Sequence, residues 1–239
     1  MRSAWYSLAP GGWRDYVTLL HPPYTLWHLS YVVIGAAIAP EWRPGRLGLA
    51  LAAFFLGLGV GAHALDELQG RPLGTRISAR VLVALAAASI AGAITLGIYA
   101  ALAYDLWLLA FVALGGFLVC AYNLEWFGGR LHGDPWFSLA WGALPLLTAY
   151  LNAAERIRGA ALVAAGFAAL LSHAQRLLST PVRRVRRKIA SVAGEVEMRD
   201  GRTEALGAAD LVAAPEAALR ALAAAVVLLA VSLVLVRVT

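Results

Sequence analysis

The chain has 239 residues, of which 61% are hydrophobic and 14% charged, with a formal net charge of +6. Soluble domains carry about a quarter charged residues, so a mean hydropathy of +0.71 excludes an ordinary water-soluble fold. The single cysteine, Cys120, excludes an intrachain disulfide.

Residues 1–21 hold Trp5, Pro10, Gly11, Gly12 and Trp13, which interrupt any short apolar core of a cleaved signal. They read as an interfacial lead-in, with Trp5, Tyr6, Trp13 and Tyr16 at headgroup level. Apolar windows follow at 22–40, 47–66, 78–102, 106–126, 136–154, 159–178 and 215–236. Each approaches or exceeds the roughly 20 residues that cross a bilayer as a helix. All are too long for barrel strands, which alternate and stay near ten residues. Helix is the backbone state that satisfies its own hydrogen bonds there. The expectation is an all-α integral membrane protein, a bundle of about seven transmembrane helices around a cavity open to the cytoplasmic side. It divides into the lead-in (1–21), a six-helix membrane core (22–178), a cytoplasmic segment (179–214) and a last transmembrane helix (215–239).

With seven spans, fifteen of the twenty Lys and Arg residues fall on one side; Arg43, Arg46, Arg156, Arg158 and Arg237 fall on the other. The positive-inside rule then puts the N-terminus in the cytoplasm and the C-terminus outside, in a multi-pass protein of a bacterial-type inner or plasma membrane. Topology accounts for the basic charge, so no nucleic-acid partner is expected. In 179–214, Val182, Val185, Ile189 and Val192 recur at helical spacing among Arg183, Arg184, Arg186, Arg187 and Lys188. This predicts a basic amphipathic helix on the membrane surface, bound to anionic lipid headgroups or closing as a cationic lid over a phosphate. Asp200-Gly201 between β-capable flanks predicts a small hairpin.

Three apolar runs end in polar side chains on the same predicted face: AHALDEL (62–68), AYNLEWFGGRLHGD (121–134) and LLSHAQR (170–176). Ionisable groups inside a membrane helix are expensive and mark sites. His63, Asp66 and Glu67 share one helical face by their i, i+3, i+4 spacing. Glu125 follows Tyr122 and Asn123, and His173 lies inside its run just before Arg176. His63, Asp66, Glu67, Glu125 and His173 are therefore expected to meet as a metal or catalytic cluster, with catalysis assigned to Asp66, Glu67, Glu125 and His173. Arg71, Arg76, Tyr122, Asn123, Arg176, Arg183 and Arg184 are expected around a substrate. Imidazole with carboxylate suits zinc, iron or manganese, whereas oxygen ligands suit magnesium. His21 and His28 read as interface residues, and His132 and Asp134 as loop.

LLHPPYTLWHLSYVVIGAAIAP (19–40) resembles the first helix of the UbiA superfamily of membrane prenyltransferases. AHALDELQGRPLGTRIS (62–78) resembles that family's first Asp-rich motif with the run after it, and 121–151 its central region. The resemblance covers about two-thirds of the chain. It implies a cytoplasm-facing site where magnesium holds a prenyl diphosphate and an acceptor captures the prenyl group. His63 falls where the family motif has Asn, Ala64 where it has the first Asp, and Glu67 where it has the second. The second Asp-rich motif is replaced by SHAQRLLSTPVRRVRRK, with no acid between Glu155 and Glu195. Three readings stay open: metal-assisted prenyl transfer on an isoprenoid or long-chain lipid, a seven-span His/carboxylate metalloenzyme, and a non-catalytic lipid-binding protein. Phe54, Phe55, Trp107, Phe111, Phe117 and Trp141 are expected along a lipid tail.

Overall fold

The computed structural model describes residues 2–239. A short α1 (Trp13–Leu19) precedes seven helical rods among the described residues. The first is α2 (Pro22–Ala37). The second joins α3 (Pro44–Phe54) through a π-helical stretch, Phe55–Ala62, to α4 (His63–Leu68). Then come α5 (Ala79–Ala103) and α6 (Leu108–Asn123). The fifth rod joins α7 (Asp134–Phe137) through a second π stretch, Ser138–Ala143, to α8 (Leu144–Ala154). The sixth and seventh are α9 (Gly159–Lys188) and α10 (Ala208–Val238), with the strands β1 (Ala193–Glu197) and β2 (Thr203–Gly207) between them.

Local chemistry sets the starts and stops. Proline occupies the first turn of α2 and α3, where its missing N–H costs nothing. The Ser78 hydroxyl caps α5 by accepting from the Val81 N–H. Asp210 accepts from the Gly207 N–H at the start of α10. Glu155 ends α8 in the left-handed region and pairs with Arg46 at 2.7 Å. The hairpin forms around Gly201, whose φ of +83° only glycine adopts freely.

Five rods are long and apolar enough to cross a membrane: 44–68, 79–103, 134–154, 159–188 and 208–238. The fold is therefore a mostly helical, multi-pass membrane bundle. The expected seven spans are not all met by length, because α2 and α6 have 16 residues each. At 1.5 Å per residue they reach about 24 Å, against a hydrocarbon layer of roughly 30 Å. The N-terminal half of α2 gives Thr25, His28 and Ser30 to the protein interior instead of apolar groups to lipid.

The separate surface helix expected after residue 178 is also revised. α9 runs unbroken through Pro181 to Lys188. Val182 and Val185 are buried against Val212 of α10 and Ile189, so the apolar stripe meets a neighbouring helix. Arg186 forms a two-pronged ion pair with buried Glu216 on α10, one contact at 2.8 Å. The last helix accordingly begins at Ala208 and carries Pro215 inside it.

α2 occupies the middle of the bundle, packed on α8 and α10. Its Trp27 and Tyr31 are fully buried, and Trp27 Nε1–H donates to the Tyr31 hydroxyl at 2.5 Å. Two glycines permit the closest crossings. A Cβ at Gly35 would strike the Leu146 carbonyl, and one at Gly142 would lie 2.6 Å from the Ala168 carbonyl. Around this core, Val83, Leu102, Val163, Leu170, Leu228 and Val236 are exposed, an apolar sheath suited to lipid rather than water.

Candidate functional site

The polar cavity of the molecule, about 110 Å³, lies at the bundle end that carries the N-terminal segment. α9 supplies one wall. Gln175, Arg176, Ser179, Arg183 and Arg187 all line it, as the 3.6-residue period allows for positions 4, 7 and 11 apart. The opposite wall comes from α2 and α4. His21, Tyr24 and His28 form an i, i+3, i+7 stripe, with His63 and Asp66 beside them. Tyr122, Asn123 and His132 come from the end of α6 and the loop after it, and Phe137 and Trp141 from the fifth rod. Both π stretches abut the cavity, one ending just before His63 and the other carrying Trp141. Such segments are frequent at functional sites.

The arginine wall is unevenly paired. Arg176 meets Asp134 at 2.8 Å and donates to the Tyr122 hydroxyl and to the His132 carbonyl at 3.1 Å. Arg183 donates to the Thr180 hydroxyl at 3.2 Å, and Arg187 Nε–H to the Ser3 carbonyl at 3.2 Å. Neither Arg183 nor Arg187 has a carboxylate partner among the described residues.

The imidazoles are more tightly set. His28 Nδ1 lies 2.9 Å from the Trp141 carbonyl, His63 Nδ1 3.0 Å from that of Gly59, and His132 Nδ1 2.9 Å from that of Tyr122. A carbonyl only accepts, so each Nδ1 carries a proton, and in the neutral form of such a ring the lone pair sits on Nε2. His21 is bonded through Nδ1 to the Tyr6 hydroxyl at 2.8 Å, and its buried Nε2 has no partner. It also holds a left-handed φ of 46° ahead of Pro22, a costly backbone for a non-glycine residue and one that gathers at functional sites. Burial and the neighbouring His63 push its pKa well below the usual histidine value.

The expected cluster is only partly assembled. His63 and Asp66 line the cavity, as do Tyr122, Asn123, Arg176 and Arg183. Glu67, one residue on and about 100° around the helix, turns away from it. It is fully buried and accepts from the Leu73 N–H (2.9 Å), the Thr75 N–H (2.8 Å) and the Thr75 hydroxyl (2.8 Å). Glu125 is exposed on the loop, with a φ of 52°. His173 is half-buried on α9, off the cavity. Arg71 is spent on the Thr75 and Ile77 carbonyls. Arg76 and Arg184 are exposed, the Arg76 N–H donating to Asp15 at 2.9 Å.

His21 and His28 line the cavity rather than an interface, and His132, on the loop as expected, lines it too. The signal was the His21–Tyr24–His28 spacing, which marks one helical face. Trp5 and Tyr6 also turn inward over the cavity, while Trp13 and Tyr16 stay exposed.

A divalent ion fits these donors poorly. Glu67, Glu125 and His173 point elsewhere, and no group of three or more His, Cys, Asp or Glu residues among those described is placed to hold a metal. The rings of His21 and His63 are nearly parallel, 4.1 Å apart. No one ion can lie in both planes.

A second cavity, also about 110 Å³, is almost wholly apolar and lies between the second, third, fourth and fifth rods. Leu58, Phe54, Ile94, Phe111, Gly116 and Val119 are among its lining groups. Val119 is one turn from Tyr122 and Asn123, and Ala140 adjoins Trp141, so the two cavities are lined by neighbouring residues of the same helices. Of the aromatics expected along a tail, Phe54 and Phe111 line this groove and Trp141 the polar cavity. Phe55, Trp107 and Phe117 are exposed on the sheath. Comparison with known protein families, curated proteins and solved structures gave no match.

Proposed function

We propose that the chain is an intramembrane enzyme acting on an isoprenoid or similar long-chain lipid with an anionic head, and that prenyl transfer from a prenyl diphosphate is its reaction. The observation that carries this reading is the presence of two unlike cavities lined by the same helices. One presents Arg183 and Arg187 without carboxylate partners, and the other is an apolar groove on the same helices. A diphosphate on a hydrocarbon chain matches both. The resemblance to UbiA prenyltransferases in 19–40 and 62–78 points the same way.

In this reading the seven rods span the membrane with the N-terminus and polar cavity facing the cytoplasm. Because the carboxylates do not form a ligand set, the leaving diphosphate is held by fixed guanidinium charges. Such groups need no rearrangement as negative charge develops on the leaving oxygen. Trp141, Phe137 and Tyr122 present aromatic faces where a developing allylic cation would pass.

The test is binding of farnesyl diphosphate to the purified protein in nanodiscs, with and without magnesium. Thermal stabilisation that weakens at least about tenfold in apparent affinity in Arg183→Gln/Arg187→Gln, and falls with salt, is the expected result. No stabilisation by farnesyl diphosphate in either condition overturns the reading.

A further inference from the structure

Facing the arginine wall, the cavity carries hydrogen-bond acceptors that the diphosphate cannot use. His28, His63 and His132 come from three separate parts of the chain, yet each commits Nδ1–H to a backbone carbonyl. In the neutral ring each leaves Nε2 as a lone pair without a partner among the described residues. A diphosphate is itself an acceptor and gains nothing from such groups. A hydroxyl donates, and Nε2 receives it.

We propose that this histidine wall binds the second substrate, a hydroxyl-bearing acceptor, and that His63 takes its proton. The proposal rests on the prenyl-transfer reading. His63 is singled out over His28 and His132 by its surroundings. Asp66 lies three residues along the same helix and lines the same cavity. The ring also stacks on His21, at 4.1 Å and 9°, which fixes its orientation. His28 has its Nδ1–H committed to the Trp141 carbonyl and so has no donor for the hydroxyl oxygen; the single O–H proton goes to His63.

The step balances as follows. The acceptor O–H bond breaks, and its proton passes to Nε2 of His63. The acceptor oxygen forms a bond to the first prenyl carbon. The bond from that carbon to the diphosphate oxygen breaks, and its electron pair leaves with the diphosphate toward Arg183 and Arg187. The imidazolium then returns its proton to solvent.

The experiment compares 4-hexylphenol with 4-hexylanisole, its methyl ether, on the full chain in nanodiscs. The two share a skeleton and differ in the O–H donor. Wild type is expected to favour the phenol by at least about tenfold, since sites that hydrogen-bond a hydroxyl reject analogues lacking it. His63→Phe should erase that preference, and His28→Phe should keep it. Arg183→Gln/Arg187→Gln should keep it while losing farnesyl diphosphate, which separates failure of the donor reading from failure of this one.

Histidine nitrogen NMR of the unmutated protein gives an independent readout. The Nε2 resonance of His63 should move when the phenol is added and stay when the ether is. Equal binding of phenol and ether, or an unmoved His63 Nε2 resonance, overturns the proposal. So does one tightly held zinc per chain that is lost in His28→Phe, because the lone pairs would then be metal ligands.

Discussion

His21 and His63 stack with ring centroids 4.1 Å apart and planes 9° apart, joining the residue that opens α2 to the one that opens α4. The contact fixes how two rods meet beneath the N-terminal segment, because His21 is also bonded to Tyr6. It explains why several imidazoles in one cavity do not make a ligand set. Stacked rings send their in-plane lone pairs along parallel planes.

The stack gives stability a pH dependence. Burial lowers the His21 pKa in the folded protein, assisted by His63, Arg187, Arg183 and His28, while the unfolded chain titrates near about 6.5. Below that value the unfolded state binds more protons, so stability falls as the pH falls. The contribution is whole above about pH 6.5 and reaches its floor below the lowered native value. Thermal unfolding of detergent-solubilised protein between pH 7.5 and 5 should show this loss, and His21→Gln should flatten part of it. An identical pH slope in the variant would exclude His21 as its source.

Glu67 behaves as a loop clamp. Both of its oxygens accept from the 73–75 backbone or side chain. Glu67→Gln replaces one acceptor by an NH2 group facing N–H donors, which costs about 1–3 kcal/mol at a buried site. The melting temperature should fall, and limited proteolysis should cut within 69–77. Asp66→Asn, on the cavity side, should leave proteolysis unchanged. Resistance of Glu67→Gln to cleavage would refute the clamp.

Glu216 locks α10 to α9 through Arg186, with side-chain exposures of 7% and 12%. Removing one partner of a buried pair leaves an uncompensated charge and costs about 3–5 kcal/mol. Glu216→Gln should therefore destabilise more than Arg186→Met/Glu216→Leu, in which both charges go. Unfolding of the two variants in a denaturing detergent decides it, and the reverse order counts against the lock.

Much of this fold was legible in local composition. Apolar runs located the rods because lipid-facing backbone must be helical, and Asp200-Gly201 located the hairpin because glycine accepts its backbone. The site was legible where polarity interrupts a run, as at His63, Asp66, Tyr122 and Arg176. It was illegible where direction matters more than identity. Asp66 and Glu67 are chemically alike neighbours, and only packing of the 69–77 loop decides which one turns to the cavity. His21 and His28 look like interface residues until the inward-folded Trp5 and Tyr6 make their helix face an interior one. The valines of 182 and 185 suggested a membrane surface because nothing local reveals that Val212 returns to cover them.

The apolar groove yields a prediction that separates head from tail. Gly116 lines it, and a Cβ there would lie 3.6 Å from Ile94 Cδ1, an ordinary contact. A leucine at this position can thus be accommodated near its own backbone while its branches fill the groove. A displaced hydrocarbon loses about 25 cal/mol for every Å² of apolar surface no longer buried, so loss of one prenyl unit's contacts amounts to a large drop in affinity. Gly116→Leu should weaken farnesyl diphosphate binding at least about tenfold and leave inorganic pyrophosphate binding as in wild type, since Arg183 and Arg187 are untouched. Gly166→Leu, where nothing lies within 4 Å of a Cβ, should change neither. Isothermal titration in nanodiscs measures both ligands on each variant. Equal loss of the two ligands in Gly116→Leu would mean that the substitution disturbs the bundle as a whole. Unchanged farnesyl diphosphate binding would place the tail somewhere other than this groove.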